Sequence, residues 1–350
     1  MKEDSSHEAK LSSKGRMMKL FNSKILGTGS FLPDKVLTND DIAKRVDTNH
    51  QWIVERTGIH TRRIADPTKD ETPSGMAKLA TLKALEAANL TPNDIDLILF
   101  SATIPDMFFP NSASHLQHKL GITNGCPALD VNAACTGWIY LLPMADAMIK
   151  TGLYKHILIV GSEMTSSFNN WDDRNTCILF GDGCGVAILA RASENEESKI
   201  YSTVLTADST KKDHLQLPAG GACKRITHEV LDRGENWVSM NGQEIFKSAV
   251  KTMASLSEKV IHDSGKTMND VDWFIPHQAN LRIIEAVGNR FSFPPKKVII
   301  NVDRYANTSS ATIPIALDES IRSGKIKRGD NILLAAFGAG LTAGAAFLKY

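Results

Sequence analysis

Asn93-Asp94-Ile95-Asp96-Leu97-Ile98-Leu99-Phe100 and Asn269-Asp270-Val271-Asp272-Trp273-Phe274-Ile275-Pro276 read as two versions of one segment, with Asn93 matching Asn269. Each follows an amphipathic run with helical spacing, carrying Met76, Leu79, Leu82 and Leu85 in the first case and Ala249, Met253, Leu256 and Val260 in the second. His156-Ile157-Leu158-Ile159-Val160-Gly161 and Asn331-Ile332-Leu333-Leu334-Ala335-Ala336 repeat the relation, with Ile157 matching Ile332 at nearly the same separation. Strand-entry sequences look alike in many proteins, but two unrelated pairs at nearly one offset point to an internal duplication. The repeat runs over about 20–195 and 230–350. The chain divides accordingly into a tail over 1–18, a first half over 19–195 and a second over 196–350.

Each half alternates helix-like and strand-like runs. The strands expected at 95–100, 157–160, 273–275, 298–301 and 332–336 are continuously apolar. That pattern suits strands covered by helices on both faces, so the fold class is α/β with two halves sharing a core. Residues 207–238 are polar and Gly-rich and read as a connecting excursion.

With 350 residues, 40 basic against 39 acidic side chains and a net charge of +1, whole-chain attraction to nucleic acid or an anionic membrane is not expected. Five cysteines (Cys126, Cys135, Cys177, Cys184 and Cys223) include no CxxC pair, which argues against a zinc site and a secreted disulfide framework. No apolar run is long enough to span a bilayer. Residues 1–16 are polar, mixed in charge and unlike a signal or transit peptide. They read as a disordered tail, and Met17 and Met18 leave room for a later start. A soluble, cytoplasmic protein is the expectation.

Cys135 lies where a strand-like run ends near Asn132 and a helix-like run begins near Thr136 and continues to about Lys150. A helix N-terminus favours an anion, so a thiolate would be stabilised there and its pKa lowered. Equally, most lone cysteines are inert core. His277 follows an apolar strand directly, the usual position of a functional group in an α/β sheet, with Gln278 and Asn280 expected around the imidazole. A satisfied core or surface histidine fits as well. Asn307 follows the 298–301 strand and precedes a helix-like run ending near Arg322. Under the offset that relates Ile157 to Ile332 it matches Asn132, so Cys135 and Asn307 occupy similar turns in the two halves. An N-cap asparagine is the plainer reading. Gly181-Asp182-Gly183-Cys184-Gly185, between strand-like runs at 177–180 and 186–190, reads as hairpin punctuation rather than a dinucleotide loop. The glycine run at 338–344 is too near the C-terminus for a βαβ unit, but a tight loop there could aim N–H groups at an oxyanion.

With Cys135, His277 and Asn307 on one duplicated α/β chain, the sequence resembles the β-ketoacyl-[acyl-carrier-protein] synthase III family, of the thiolase-like fold. The motifs are DVNAACTGW around Cys135, PHQANLRI around His277, YANTSSA around Asn307, FGDG at 180–183, FGAGLTAG at 337–344 and WIVERTGI at 52–59. The resemblance implies a layered αβαβα arrangement, a homodimer, and acyl-CoA and malonyl-acyl carrier protein as partners. It implies decarboxylative condensation through an acyl-Cys135 intermediate, initiating fatty acid biosynthesis, with no metal or redox cofactor. His277 and Asn307 would stabilise the enolate, and the backbone N–H groups of Cys135 and Ala339 the oxyanion. It further implies that Trp52 and Arg174 hold the CoA adenine, that Arg56 lies near its phosphates, that Arg282 docks the carrier protein and that Phe109 closes the partner's acyl pocket. Gln243 stands where many relatives have a CoA-touching Asn, Ala339 replaces a central glycine and Ala343 a frequent tryptophan. A secondary-metabolite ketosynthase or starter-unit transferase of the same fold would carry the same triad. A cysteine hydrolase lacks a marked water-activating base here, and a non-catalytic subunit would not need all three residues.

Overall fold

The structure is a computed structural model and describes residues 20–350. The polar tail, with Met17 and Met18, lies outside the described residues. Five strands form the first sheet: β1 (Ser23–Phe31), β2 (Leu97–Ser101), β3 (Ala128–Asp130), β4 (His156–Glu163) and β5 (Gly183–Arg191), in the order β1-β5-β4-β2-β3. Four form the second: β6 (Lys199–Ala207), β7 (Trp273–Pro276), β8 (Asn331–Gly338) and β9 (Thr342–Lys349), in the order β7-β8-β9-β6. The central pairs repeat: β2 runs parallel to β4 with Leu97 opposite Ile157, and β7 parallel to β8 with Trp273 opposite Ile332. In both sheets the next two strands are antiparallel. The duplication is therefore a repeat of topology and register.

Helices α1 (Pro73–Ala88), α2 (Gly137–Lys150), α3 (Gly242–Asp263), α4 (Leu281–Arg290) and α5 (Thr312–Arg322) complete the layers. The central core joins α2 residues Ile139, Leu142 and Ile149 and α5 residues Ile313 and Leu317 to Leu99 and Ile159 of one sheet and Ile275 and Leu334 of the other. Helix α1 covers the outer face of the first sheet, and α3 with α4 the outer face of the second. The order of layers is αβαβα. Burial on both faces explains the unbroken apolar runs of β2, β4 and β8.

Helix α1 starts on Thr72, whose hydroxyl accepts from the Gly75 N–H, with Pro73 at the first helical position, and it stops at the left-handed Asn89. The face it buries differs from the one its leucines suggest. Leu79 and Leu82 are exposed, while Met76, Ala77, Ala80, Ala84 and Leu85 face the sheet. Small residues win because the helix lies directly on β1: a Cβ on Gly29 would sit 2.0 Å from the Ala80 carbonyl oxygen and one on Gly27 2.5 Å from that of Ala84.

Two expected strands are not formed as such. Residues 177–180 are turns, with one bridge from Phe180 to Asn307, so no hairpin precedes β5. The buried Arg62 guanidinium donates to the Ile178 carbonyl at 2.9 Å, Asn307 N–H donates to the Leu179 carbonyl, and the Cys177 and Leu179 N–H groups turn back to the Asp173 and Thr176 carbonyls. Residues 298–301 keep a single bridge, Val298 to Phe274, because their amides are diverted: Asn301 N–H donates to Gln278 Oε1 at 2.9 Å. The 207–238 excursion is more than a connector. It holds the strand Leu215–Gln216 and the helix His228–Asp232, and Leu215–Gln216 pairs with Ser239–Met240 over the cavity described below.

The α1–β1 contact gives a direct test. Gly29→Ala is expected to lower the unfolding free energy by roughly 1–3 kcal/mol, the scale of overpacking a close interface. Equilibrium urea denaturation should show this as a lower midpoint at unchanged slope.

Candidate active site

Two turns, one from each half, meet between the sheets. After β3 the chain turns at Ala134, whose φ of 46° is left-handed, makes the 3₁₀ turn Ala134–Thr136 and enters α2 at Gly137. In the second half Ser309, with φ of 51°, begins the 3₁₀ turn Ser309–Ala311, and α5 starts at Thr312. Each second-half position stands to its first-half counterpart as Ile332 stands to Ile157. Non-glycine residues seldom adopt such a backbone, and both stand three residues before the helix that follows. The turns touch through Ser309 Oγ and Cys135 Sγ, 3.5 Å apart.

Cys135, His277 and Asn307 line one cavity of about 140 Å³, with Phe180, Leu215, Met240, Ala279 and Phe337 among its walls. His277 follows β7, its N–H bonded to the Ala335 carbonyl at 2.8 Å, and is buried. Its Nδ1 lies 2.6 Å from Thr312 Oγ1, whose single proton has a second acceptor, the Ser309 carbonyl at 3.0 Å. When Thr312 donates to Nδ1, the ring proton sits on Nε2. Gln278 does not attend the imidazole: its amide bonds the Pro276 and Ile299 carbonyls and accepts from Asn301 and Val302. Asn280 instead donates to the Arg56 carbonyl. Asn307 is held by its backbone to Leu179 and Gly181, and its Oδ1 accepts from the Ser309 N–H at 2.8 Å. That is an Asx turn rather than a helix cap, and it leaves the amide NH₂ as the group free to donate.

Burial dominates the electrostatics. Cys135 is partly open to the cavity, but protein surrounds its sulfur, and loss of solvent raises its pKa to about 11. Its own N–H and that of Ala339 point at the sulfur and act the other way, as does Ser309, without cancelling the burial. The lowered thiol pKa expected at a helix start is thus overturned by desolvation. Burial also lowers His277 to about 4, so the imidazole is neutral at physiological pH.

A groove of about 760 Å³ opens next to the cavity and shares Leu179, Met240, Gly242, Phe246 and Asn280 with it. Trp52, Arg56, Gln243, Lys247 and Arg282 line the groove. Arg56 and Arg174 lie over the Trp52 ring at 4.3 and 4.9 Å, so a flat ring slides between Trp52 and Arg174 only after the guanidinium moves out. Beyond Cys135 lies a smaller apolar cavity of about 70 Å³, lined by Phe168, Phe180, Leu215, Leu217 and Val238, with Ser309 and Ala339 at its rim. Phe109 lines none of the three and is 84% exposed. Ala343 is buried behind Phe337, against a separate cavity. Among the described residues, no group of three or more His, Cys, Asp or Glu side chains is arranged to hold a metal ion.

Two family models match the chain: 3-oxoacyl-[acyl-carrier-protein] synthase III over residues 129–209 and the C-terminal part of the same family over 261–350. The β-ketoacyl-[acyl-carrier-protein] synthase III of Xanthomonas axonopodis pv. citri is 47% identical over 334 residues, covering 95% of this chain and 100% of that one. The protein of that name from Caldanaerobacter subterraneus subsp. tengcongensis is 47% identical, covering 93% and 97%. The crystal structure of 3-oxoacyl-[acyl-carrier-protein] synthase III from Aquifex aeolicus superposes with a TM-score of 0.86 at 42% identity, over 94% of this chain and 100% of that one. The chain belongs to the β-ketoacyl-[acyl-carrier-protein] synthase III family.

It is accordingly an acyl-transferring condensing enzyme of the thiolase-like fold. Several groups at this synthase III site escape a reading by motif. Lys247 joins Arg56 and Arg282 at the groove. Thr103 and the buried Glu163 form a hydrogen-bonded pair next to Ser309. Glu163 has one signal in the sequence, a charged residue closing an apolar strand.

The His277 setting predicts a pH response. A histidine of ordinary pKa in the unfolded chain takes up a proton near 6.5, while the folded one waits until about 4. The His277 contribution to stability is therefore complete above 6.5 and is lost as pH drops through this window, by roughly 3 kcal/mol. An NMR titration should find the His277 ring neutral from pH 8 down to 5.5.

Proposed function

We propose that groove, central cavity and apolar cavity form one path for a CoA thioester, along which Cys135 takes an acyl primer and passes it to malonyl-[acyl-carrier protein]. The observation that carries this reading is the convergence of Cys135, His277 and Asn307 on one cavity, with a groove on one side and an apolar end on the other. Arg56, Lys247 and Arg282 suit a phosphate-bearing carrier in the groove, with Arg282 exposed enough to meet an acidic carrier protein. Trp52 and Arg174 are the pair for the adenine.

Cys135 thiolate attacks the acyl-CoA carbonyl, and the negative charge moves onto oxygen. The N–H groups of Cys135 and Ala339 would receive it, a reading supported by their hydrogen bonding to the sulfur. The tetrahedral species collapses, the carbon–sulfur bond to CoA breaks, and CoA leaves as the thiolate. Malonyl-carrier protein then loses CO₂, and the electron pair shifts into an enolate. Neutral His277, through Nε2–H, and Asn307, through its NH₂, donate to the enolate oxygen. The enolate carbon attacks acyl-Cys135, the new carbon–carbon bond forms and the Cys135 thiolate departs. A high thiol pKa suits the first half, because the thiolate once formed is a strong nucleophile, and the buried site keeps water from the acyl-enzyme.

For the chain as a whole we infer the division into halves at 195 and 196, which separates the strands of the two sheets. We also infer a cytoplasmic location, which rests on composition. No helix among the described residues is long and apolar enough to cross a membrane. A homodimer is part of the reading. Strand β3 ends the first sheet with one edge unpaired, and Phe108 and Phe109 nearby are 82% and 84% exposed. Two aromatic rings in water are costly, and a second copy is the natural cover. Phe109 would then close the partner's apolar cavity.

Two experiments test the reading. Acyl-CoA without carrier protein should label the Cys135 peptide, as seen by mass spectrometry. His277→Ala and Asn307→Ala should keep that label while malonyl decarboxylation drops by roughly 10²-fold or more. Label on another cysteine, or equal loss of both steps, would defeat it. Separately, Phe109→Ala should keep the dimer by light scattering and shift use toward longer acyl-CoAs. A weakened dimer with unchanged preference would make Phe109 an interface anchor only.

A further inference from the structure

Glu163 closes β4 with its side chain wholly buried, and the steps above leave it without a part. Its carboxylate accepts from Thr103 N–H at 2.9 Å, Thr103 Oγ1 at 3.1 Å, Ser310 Oγ at 2.6 Å and Ser310 N–H at 3.3 Å. No ion pair neutralises it among the described residues. The Thr103 hydroxyl lies 3.2 Å from Ser309 Oγ, and Ser309 Oγ lies 3.5 Å from Cys135 Sγ. Carboxylate, two hydroxyls and sulfur therefore form an unbroken line. Each hydroxyl carries one proton and offers lone pairs, so the line can point either way.

We propose that Glu163 accepts the Cys135 proton during acylation, through the hydroxyls of Ser309 and Thr103, and returns it when the thiolate is released. The step balances. The S–H proton moves to Ser309 Oγ, the Ser309 proton to Thr103 Oγ1 and the Thr103 proton to the carboxylate. The electron pair left on sulfur makes the new carbon–sulfur bond. CoA leaves as the thiolate and is protonated by solvent. After condensation the Cys135 thiolate regains its proton along the same line in reverse.

Electrostatics favours this route over loss of the proton to water. Burial raises Glu163 to about 7, a range from which it gains and loses a proton readily, and its charge is among the factors that raise the Cys135 thiol. Removing the thiol proton while Glu163 stays ionised would leave two negative charges side by side. Passing it to Glu163 keeps the number at one. The titratable groups that sense Glu163 are Cys135, from the turn before α2, and Cys184 on β5, which burial raises to about 12. Neither Cys184 nor His277, neutral above about 4, changes charge between pH 5.5 and 9.

Glu163 is a positioning residue that acts through its neighbours, and the proposal rests on Cys135 being the nucleophile. The test is single-turnover transfer from acetyl-CoA to the full chain, quenched and read on the Cys135 peptide, from pH 5.5 to 9. Wild-type acylation should rise with pH through about 7 as Glu163 ionises. Glu163→Gln should lose that rise and slow by roughly 10²-fold at pH 8, the scale of a lost proton acceptor. Ser309→Ala keeps the Thr103 and Ser310 hydrogen bonds to Glu163, cuts the line at the sulfur and should behave alike, and the double variant should be no slower than the slower single one. Thermal melting checks that each variant is folded; if Glu163→Gln is not, Ser309→Ala decides alone. Either folded variant with wild-type rate and pH profile, or losses that multiply in the double variant, overturns the relay. Wild-type label on a different cysteine instead overturns the nucleophile assignment itself.

Discussion

The site depends on how closely two turns can be pressed onto the strand ends of opposite sheets. A Cβ on Gly161 of β4 would sit 2.8 Å from the Ser310 carbonyl oxygen, and one on Gly338 of β8 would sit 3.0 Å from Cys135 Cβ. One on Gly137 would meet Ser101 Oγ at 1.7 Å. Each close approach admits hydrogen alone, and each fixes part of the cavity. The duplication sets the two turns facing one another. The missing side chains let them come near enough for Ser309 to reach Cys135.

That crowding also sets the protonation states. Water is largely excluded, so the imidazole is held neutral and the thiol and carboxyl are held protonated to higher pH than usual. A neutral imidazole keeps its donor role without adding a positive charge to the pocket. Backbone N–H groups at the sulfur supply polarity that needs no titration. The cavity is thus lined by oriented dipoles and groups held toward their neutral forms rather than by fixed ion pairs.

Much of this is legible in the sequence because the internal repeat carries topology. Once β2 matches β7 and β4 matches β8, Cys135 and Asn307 must stand at matching turns. The α1 face defeats a reading that weighs leucines above alanines, because contact with glycines on β1 demands small residues. The 177–180 and 298–301 runs look like strands by composition. Arg62, Asn307 and Gln278, far away in sequence, take the Ile178 and Leu179 carbonyls and the Asn301 N–H, and the Cys177, Leu179 and Val298 N–H groups close local turns. Glu163, Thr103 and Ser309 escape for the same reason. Glu163 meets Ser310 on the opposite half of the chain, and no local pattern announces such a contact.

The origin of the cavity walls bears on how such an enzyme diversifies. Cys135, His277 and Asn307 sit at strand ends and turns locked into the shared core. The apolar end cavity takes Leu215, Leu217 and Val238 from the excursion between the halves, and Phe168 and Phe180 from the first half. On the proposed path, the space for an acyl tail can therefore be altered in a part of the chain that supplies none of the three reacting residues.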